Sequence, residues 1–349
     1  MTIEDIETVD RSNFFRLLVE FPQQVENAVR IARASEVKLN VRGIQHIVIT
    51  GLGGSAIGGD LLRSYLADQI RIPIFVNRHY SLPEFVSRNS LAFVSSYSGN
   101  TEETIAAHRE ARKRKAKIVC ISSEGELTTM AKRYGHPLIT IPSGFPPRAA
   151  LGYSFFPMLI TLNKLRLANA NQSAWKETVS LLKALSERYS DVLSTRNLAI
   201  DLAYRLKGKL PILYSSTERF DSVNLRWRGQ LAENAKVLAF GNVLPEMNHN
   251  EVVGWHVLKD LMKNMAVVIL RDRDDHRRVQ KRMDITKDIL GEYAASITEV
   301  QSEGRSVLAR MFSLVYLGDW VSFYLAILNG VDPTPVKVID YLKLQLAKV

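Results

Sequence analysis

The sequence predicts an α/β protein made of two doubly wound domains, each a mostly parallel sheet flanked by helices. Three observations carry this expectation. Short apolar runs recur without polar alternation, as strands covered on both faces require. Helical stretches separate those runs, which is the pattern of βαβ units. After a strand-free helical interval the alternation begins again, in a chain whose 349 residues suffice for two hydrophobic cores.

Taken in order, residues 12–33 read as an amphipathic helix, with Phe14, Leu17, Leu18, Val25, Val29 and Ile31 on an apolar stripe. Strands are expected at residues 44–50, 72–76, 91–95, 116–121 and 137–141. Residues 151–207 carry no strand signal and read as helices with polar breaks near Asn169 and Ser194. The second set of strands is expected at residues 210–214, 236–240, 265–270 and 295–300. A long apolar helix follows over residues 305–329, then a final helix through Lys343. The expected organisation is an N-terminal domain over residues 1–165, a helical connection over 166–207 and a C-terminal domain over 208–349.

Composition is that of an ordinary globular protein, 46% hydrophobic and 23% charged. The single cysteine, Cys120, excludes an intrachain disulfide framework and any cysteine-based zinc site. Its place in the apolar run Lys117-Ile-Val-Cys-Ile121 reads as a buried strand position. The histidines show no mutual metal-ligand spacing, so no metal is expected. The net charge of +10 is partly concentrated in two blocks, residues 109–117 and 271–282. Neither block interleaves aromatics for stacking bases, so both read as solvated helix faces rather than a nucleic-acid surface. The acidic opening residues lack an apolar stretch, and no membrane span is expected, which reads as a soluble, cytoplasmic chain.

Two strand-end loops carry the chemistry. The first strand runs into Thr50-Gly-Leu-Gly-Gly-Ser-Ala, where Gly53, Gly54 and Ser55 let backbone amides approach an anion at a helix N-terminus. A dinucleotide fingerprint is the weaker reading, since Val76-Asn-Arg-His-Tyr80 lacks the acidic residue expected after the second strand. The third strand runs into Ser95-Ser-Tyr-Ser-Gly-Asn-Thr-Glu-Glu-Thr104. Ser96, Ser98 and Thr101 there offer hydroxyl donors to phosphate oxygens without adding charge. The bland alternative is an ordinary N-cap by Ser98 or Thr101. Both loops leave the carboxyl ends of parallel strands, where open α/β sheets bind ligands.

The Gly-Gly-Ser loop followed by Ser-x-Ser-Gly-Asn-Thr-Glu-Glu-Thr resembles the sugar isomerase (SIS) domain. Further motifs narrow the likeness: Gly144-Phe-Pro-Pro-Arg-Ala-Ala-Leu-Gly152, Arg226-Trp-Arg-Gly-Gln-Leu-Ala-Glu-Asn-Ala-Lys236, Leu244-Pro-Glu-Met-Asn-His-Asn-Glu-Val-Val-Gly-Trp255 and Asp332-Pro-Thr-Pro-Val336 with Leu342-Lys343. Together they are similar to bifunctional phosphoglucose/phosphomannose isomerases along essentially the whole chain.

The resemblance implies aldose–ketose isomerisation of a 6-phosphosugar without a cofactor. Glu233 then stands where relatives place their base, although by local sequence it reads as a surface helix carboxylate. The resemblance makes His249 the ring-opening histidine, supplied by a neighbouring subunit, and so implies a homodimer with its active site at the subunit interface. By local sequence His249 is equally well a loop hydrogen-bonder. Arg148 is expected to steady an enediolate, and Lys343 to reach the site from the C-terminal helices and assist ring opening. Thr334 is expected to accommodate either C2 epimer. Two alternatives stay open from the sequence: a non-catalytic sugar-phosphate sensor and another SIS sugar-phosphate isomerase.

Overall fold

The computed structural model describes residues 1–169, 171–346 and 348. The chain divides into two compact units. One comprises residues 20–182 and 304–309; the other comprises residues 1–19, 183–303 and 310–349.

The first unit is built on a five-stranded parallel sheet: β1 His46–Thr50, β2 Ile74–Asn77, β3 Ser90–Ser95, β4 Lys117–Ser122 and β5 Leu138–Thr140, in the order β2-β1-β3-β4-β5. The register pairs Thr50 with both Asn77 and Val94, and Val94 with Cys120, so the strands end nearly level. Every residue of β3 is buried, which is why its sequence shows no polar alternation. The order reverses between β1 and β3, and the loops that follow these two strands flank that switch point.

The second unit repeats this plan with four parallel strands: β6 Leu210–Ser216, β7 Phe240–Leu244, β8 Met265–Arg271 and β9 Ser296–Gln301, ordered β7-β6-β8-β9. Strand β7 is displaced from the expected residues 236–240. Lys236 takes a left-handed turn at φ 59° to close the preceding helix, so pairing with β6 begins at Phe240. The expected helix over 12–33 is two helices, Phe14–Val19 and Phe21–Ala34. Pro22 opens the second of them, where its missing N–H costs nothing.

Although no membrane span is expected from the sequence, Val307–Leu328 is long and apolar enough to cross a membrane by length and composition. Its apolar window is 94% buried within the protein, as in a core helix. Within the second unit Trp320 and Phe323 of this helix pack against Phe15, and the Tyr316 hydroxyl donates to the Leu18 carbonyl at 2.7 Å.

Each basic block has arginines paired with nearby carboxylates. Arg114 reaches Glu110 at 2.6 Å and also the carbonyl of Pro83, and Arg271 reaches Asp284 at 2.6 Å. One expectation about metal-binding side chains changes: the fold gathers His108, Cys120 and His136, whose potential ligand atoms lie within 4.8 Å of one another. Helix packing and strand pairing bring them together, so sequence spacing carried no sign of it.

Candidate active site

In the first unit, the helix Gly53–Leu66 starts directly after β1, and its N-cap Leu52 has no side chain able to bond its free N–H groups. Gly54 is required by close packing: a Cβ there would overlap the carbonyl oxygen of Pro147. That approach sets the loop against the short turn Pro147–Ala149, which carries the buried Arg148. The Ser154 hydroxyl donates to the Gly54 carbonyl at 3.1 Å. Ser55 is buried and Gly53 exposed, so the mouth of the loop is lined by backbone.

The loop after β3 is shaped by the chain's own hydrogen bonds. Ser96, buried at the strand end, shares a 2.9 Å hydrogen bond with the Thr101 hydroxyl. Thr101 is the N-cap residue of helix Glu102–Lys113, yet its side chain makes no capping bond. The N-cap alternative for Thr101 is therefore replaced by a hydroxyl pair across the loop, and the helix N–H groups are left without a side-chain cap. Ser98 is exposed, and its hydroxyl accepts from the Asn100 N–H at 3.3 Å. Gly99 holds φ 71°, and a Cβ on it would meet the Glu124 carbonyl oxygen. Two uncapped helix starts with adjacent hydroxyls are what a phosphate dianion needs.

Tyr97 was not singled out from the sequence, and it ties this loop to the segment before Arg148. Its hydroxyl donates to the Pro142 carbonyl and accepts from the Phe145 N–H, both at 2.9 Å. Its carbonyl accepts from the Ser123 hydroxyl at 2.7 Å. A tyrosine between two loop serines was the only available signal.

In the second unit, Glu233 is the last residue of helix Asp221–Glu233 and is half-buried. The surrounding motif explains how it is held. Arg226 makes a buried two-point ion pair with Asp319, at 3.0 and 2.7 Å. Gln230 also donates to Asp319 at 2.9 Å, and the Asn234 amide donates to the Ser322 hydroxyl at 2.9 Å. Trp227 donates to the Leu314 carbonyl and lies against Gly318, where a Cβ would overlap its indole nitrogen. Most of this motif therefore clamps its helix to Val307–Leu328, with Glu233 at the helix's C-terminal end. Asp319 was missed because its neighbours read as plain core; a lone carboxylate in a long apolar helix was the signal.

A groove of about 680 Å³ runs beside Glu233, lined also by Lys236, Leu238, Asp332, Val336 and Lys337. Lys236 reaches the carbonyl of Glu233 at 2.5 Å and that of Pro333 at 3.3 Å, holding the helix end to the Asp332-Pro-Thr-Pro loop. Thr334 sits partly buried in that loop, with its N–H bonded to Asp332 at 2.9 Å. His249 and Lys343 belong to the same unit but do not line this groove. His249 is exposed at the end of the turn Glu246–His249. Its loop is anchored by Glu251, which accepts from the Tyr214 hydroxyl at 2.5 Å and the Asn242 amide at 2.8 Å, and by Asn248, which donates to Thr286 at 2.8 Å. Burial and Glu251 together push the Tyr214 hydroxyl far above its usual range, so it stays a donor. Lys343 is exposed on helix Lys337–Leu346, which has no buried residue among those described.

Comparison with known proteins agrees with the geometry. Residues 40–143 match the SIS domain family, and residues 195–346 match the family described as the bacterial phospho-glucose isomerase C-terminal SIS domain. The chain is 46% identical over 336 residues to a bifunctional phosphoglucose/phosphomannose isomerase of Caldicellulosiruptor bescii, covering 96% of this chain and 99% of that protein. It is 39% identical to the protein of the same name from Aquifex aeolicus, covering 86% and 90%. Among solved structures, a hypothetical protein from Thermus thermophilus shares the fold, with TM-score 0.73 at 16% identity, covering 95% of this chain and 89% of that one.

Proposed function

The chain belongs to the family of bifunctional phosphoglucose/phosphomannose isomerases, and from that premise we propose that it interconverts glucose 6-phosphate, mannose 6-phosphate and fructose 6-phosphate. The phosphate rests on Gly53, Gly54, Ser55, Ser96, Ser98 and Thr101. The observation that carries this reading is the pair of uncapped helix starts after β1 and β3, one beside a glycine loop and one beside paired hydroxyls. They offer N–H and O–H donors to one end of a substrate and leave its other end for chemistry.

With the sugar ring opened, Glu233 removes the C2 proton of the aldose, giving an enediolate, and returns a proton to C1 to form the ketose. The reverse transfer to either face of C2 yields the glucose or the mannose epimer. Arg148 supplies the fixed positive charge that holds the enediolate oxygen. His249 moves the proton of ring opening, Lys343 assists it, and Thr334 borders the C2 hydroxyl. The division of labour follows the expected domains: residues 1–165 fix the phosphate, and residues 208–349 supply the base.

The enzyme works as a soluble, cytoplasmic homodimer in which each His249 serves its partner's site. Support for a partner comes from large apolar side chains left exposed near His249, such as Val253 and Val257, and along the C-terminal helix, such as Tyr341 and Leu344.

The test is direct: incubate the purified chain with fructose 6-phosphate and follow glucose 6-phosphate and mannose 6-phosphate. Formation of both is expected; turnover to neither would overturn the proposal. Mixing Glu233→Gln with His249→Ala protein is expected to restore activity in exchanged dimers. Exchanged dimers without activity would place both residues in one subunit's site.

A further inference from the structure

Behind the phosphate loop lies a group of side chains that isomerisation does not use. His108 sits on helix Glu102–Lys113, Cys120 in the middle of β4, and His136 on the turn just before β5. His108 and Cys120 are fully buried, while His136 is partly exposed. His108 Nε2 and His136 Nδ1 are 3.0 Å apart and share one hydrogen bond. One potential ligand atom from each of the three residues lies within 4.8 Å of the other two. His108 Nδ1 is buried with no hydrogen-bond partner among the described residues. The Tyr134 ring stands at 6.2 Å from His108 and 6.0 Å from His136 and covers one side of the group.

We propose that His108, Cys120 and His136 form a binding site for a soft or borderline divalent cation, with zinc as the best-fitting ion. The donor set selects that class, since two imidazoles and a thiolate suit zinc and disfavour magnesium or calcium. Geometry is consistent. Zinc bonds of about 2.0–2.1 Å to nitrogen and about 2.3 Å to sulfur place tetrahedral ligand atoms about 3.3–3.6 Å apart. The imidazole pair needs only to open slightly, with the ion taking the place of the shared proton. From a separation of at most 4.8 Å the thiol sulfur needs to approach by no more than about 1.2 Å.

Binding releases the Cys120 thiol proton to solvent and forms the zinc–sulfur bond. Each ring keeps one proton, on the nitrogen that faces away from the ion. Water completes the tetrahedron from the partly exposed His136 side. Arg112, stacked on Tyr134 at 3.9 Å, opposes a dication, so the thiolate charge is essential to the site. An occupied site ties three elements of the first unit together. One is the helix that opens at Thr101, another is β4, whose Cys120 pairs with Val94 of β3, and the third is the segment just before β5 that carries His136. The site therefore braces the loop proposed to hold phosphate from behind without touching substrate.

The experiment is a titration of the reduced, full-length protein with cobalt(II), followed by zinc. Because Cys120 is the only cysteine, thiolate-to-cobalt charge-transfer absorption has a single possible source. The expected result is one equivalent of cobalt with that absorption, bleached by one equivalent of zinc, and a melting temperature raised by zinc. Cys120→Ser is expected to abolish the absorption. His136→Gln, at the partly exposed position least able to disturb folding, is expected to weaken cobalt binding by at least about 100-fold. Absence of the charge-transfer absorption at saturating cobalt in the folded wild-type chain would overturn the site. Unchanged affinity in a folded His136→Gln protein would also overturn it. Neither readout depends on isomerase activity.

Discussion

The two units share a sheet plan and differ at the same topological place. In the first, the loops after β1 and β3 end in uncapped helix starts and hydroxyls. In the second, β6 and β8 hold the corresponding central positions, but the chain's own side chains fill the space beyond them. The Ser216 hydroxyl donates to Asp275 at 2.5 Å, and the Asp272 N–H donates to the same carboxylate at 3.0 Å. Asp272 in turn accepts from Arg310 Nε at 2.8 Å and from the Ser302 hydroxyl at 2.6 Å, and Arg310 also pairs with Asp274. Internal carboxylates thus occupy the place that the proposed function gives to phosphate in the first unit. The difference teaches that a duplicated sheet need not duplicate its chemistry. In the proposed reading, one unit presents function at its strand ends, the other at a helix end, Glu233, and in loops.

Four substitutions break or sharpen that contrast. The largest effect is expected for Glu233→Gln, which removes the proposed base while keeping its shape. Turnover should fall by about 10³-fold, within the range for loss of a general base, with phosphate-ester binding retained in calorimetry. A rate within a few-fold of wild type would take the helix end out of the reaction.

Next is Asp319→Ala. It leaves Arg226 buried without its carboxylate and should lower unfolding free energy in urea by about 3 kcal/mol. A loss under about 1 kcal/mol would mean the clamp behind Glu233 is not what holds that helix. Ser96→Ala removes one half of the hydroxyl pair in the open loop. It should raise KM for fructose 6-phosphate about 10-fold with little change in stability, the worth of one hydrogen bond to a charged group. An effect on kcat alone would contradict a role in phosphate binding. The smallest effect is expected for Asp275→Asn in the closed loop: about 1 kcal/mol of stability and kcat/KM within about twofold of wild type. A large loss of activity there would show that the second unit's strand ends are not merely self-filled.

Much of this was legible in the residues. β3 and β4 announce themselves because burial on both faces demands unbroken apolar runs, and Ser96, Ser98 and Thr101 stand within six positions of one another. Strand β7 was misplaced because the Lys236 turn is set by contacts to Glu233 and Pro333, one of them distant in sequence. Thr101 looked like a cap, and only the folded loop shows its hydroxyl turned to Ser96. The helix at 307–328 was readable as apolar, but nothing local explained Asp319, whose partners Arg226 and Gln230 lie about ninety residues earlier.

The sequence by itself determined the α/β class, the alternation of strands and helices, and the place of the glycine and hydroxyl loops after β1 and β3. These follow from short-range rules of periodicity, glycine freedom and helix starts. Only the tertiary structure decided that the second unit closes its loops with Asp275, that Asp319 anchors the helix ending in Glu233, and that His108, Cys120 and His136 come together. Those outcomes depend on pairs far apart in the chain, which satisfy buried charge and hydrogen bonds only once the sheets and helices have packed.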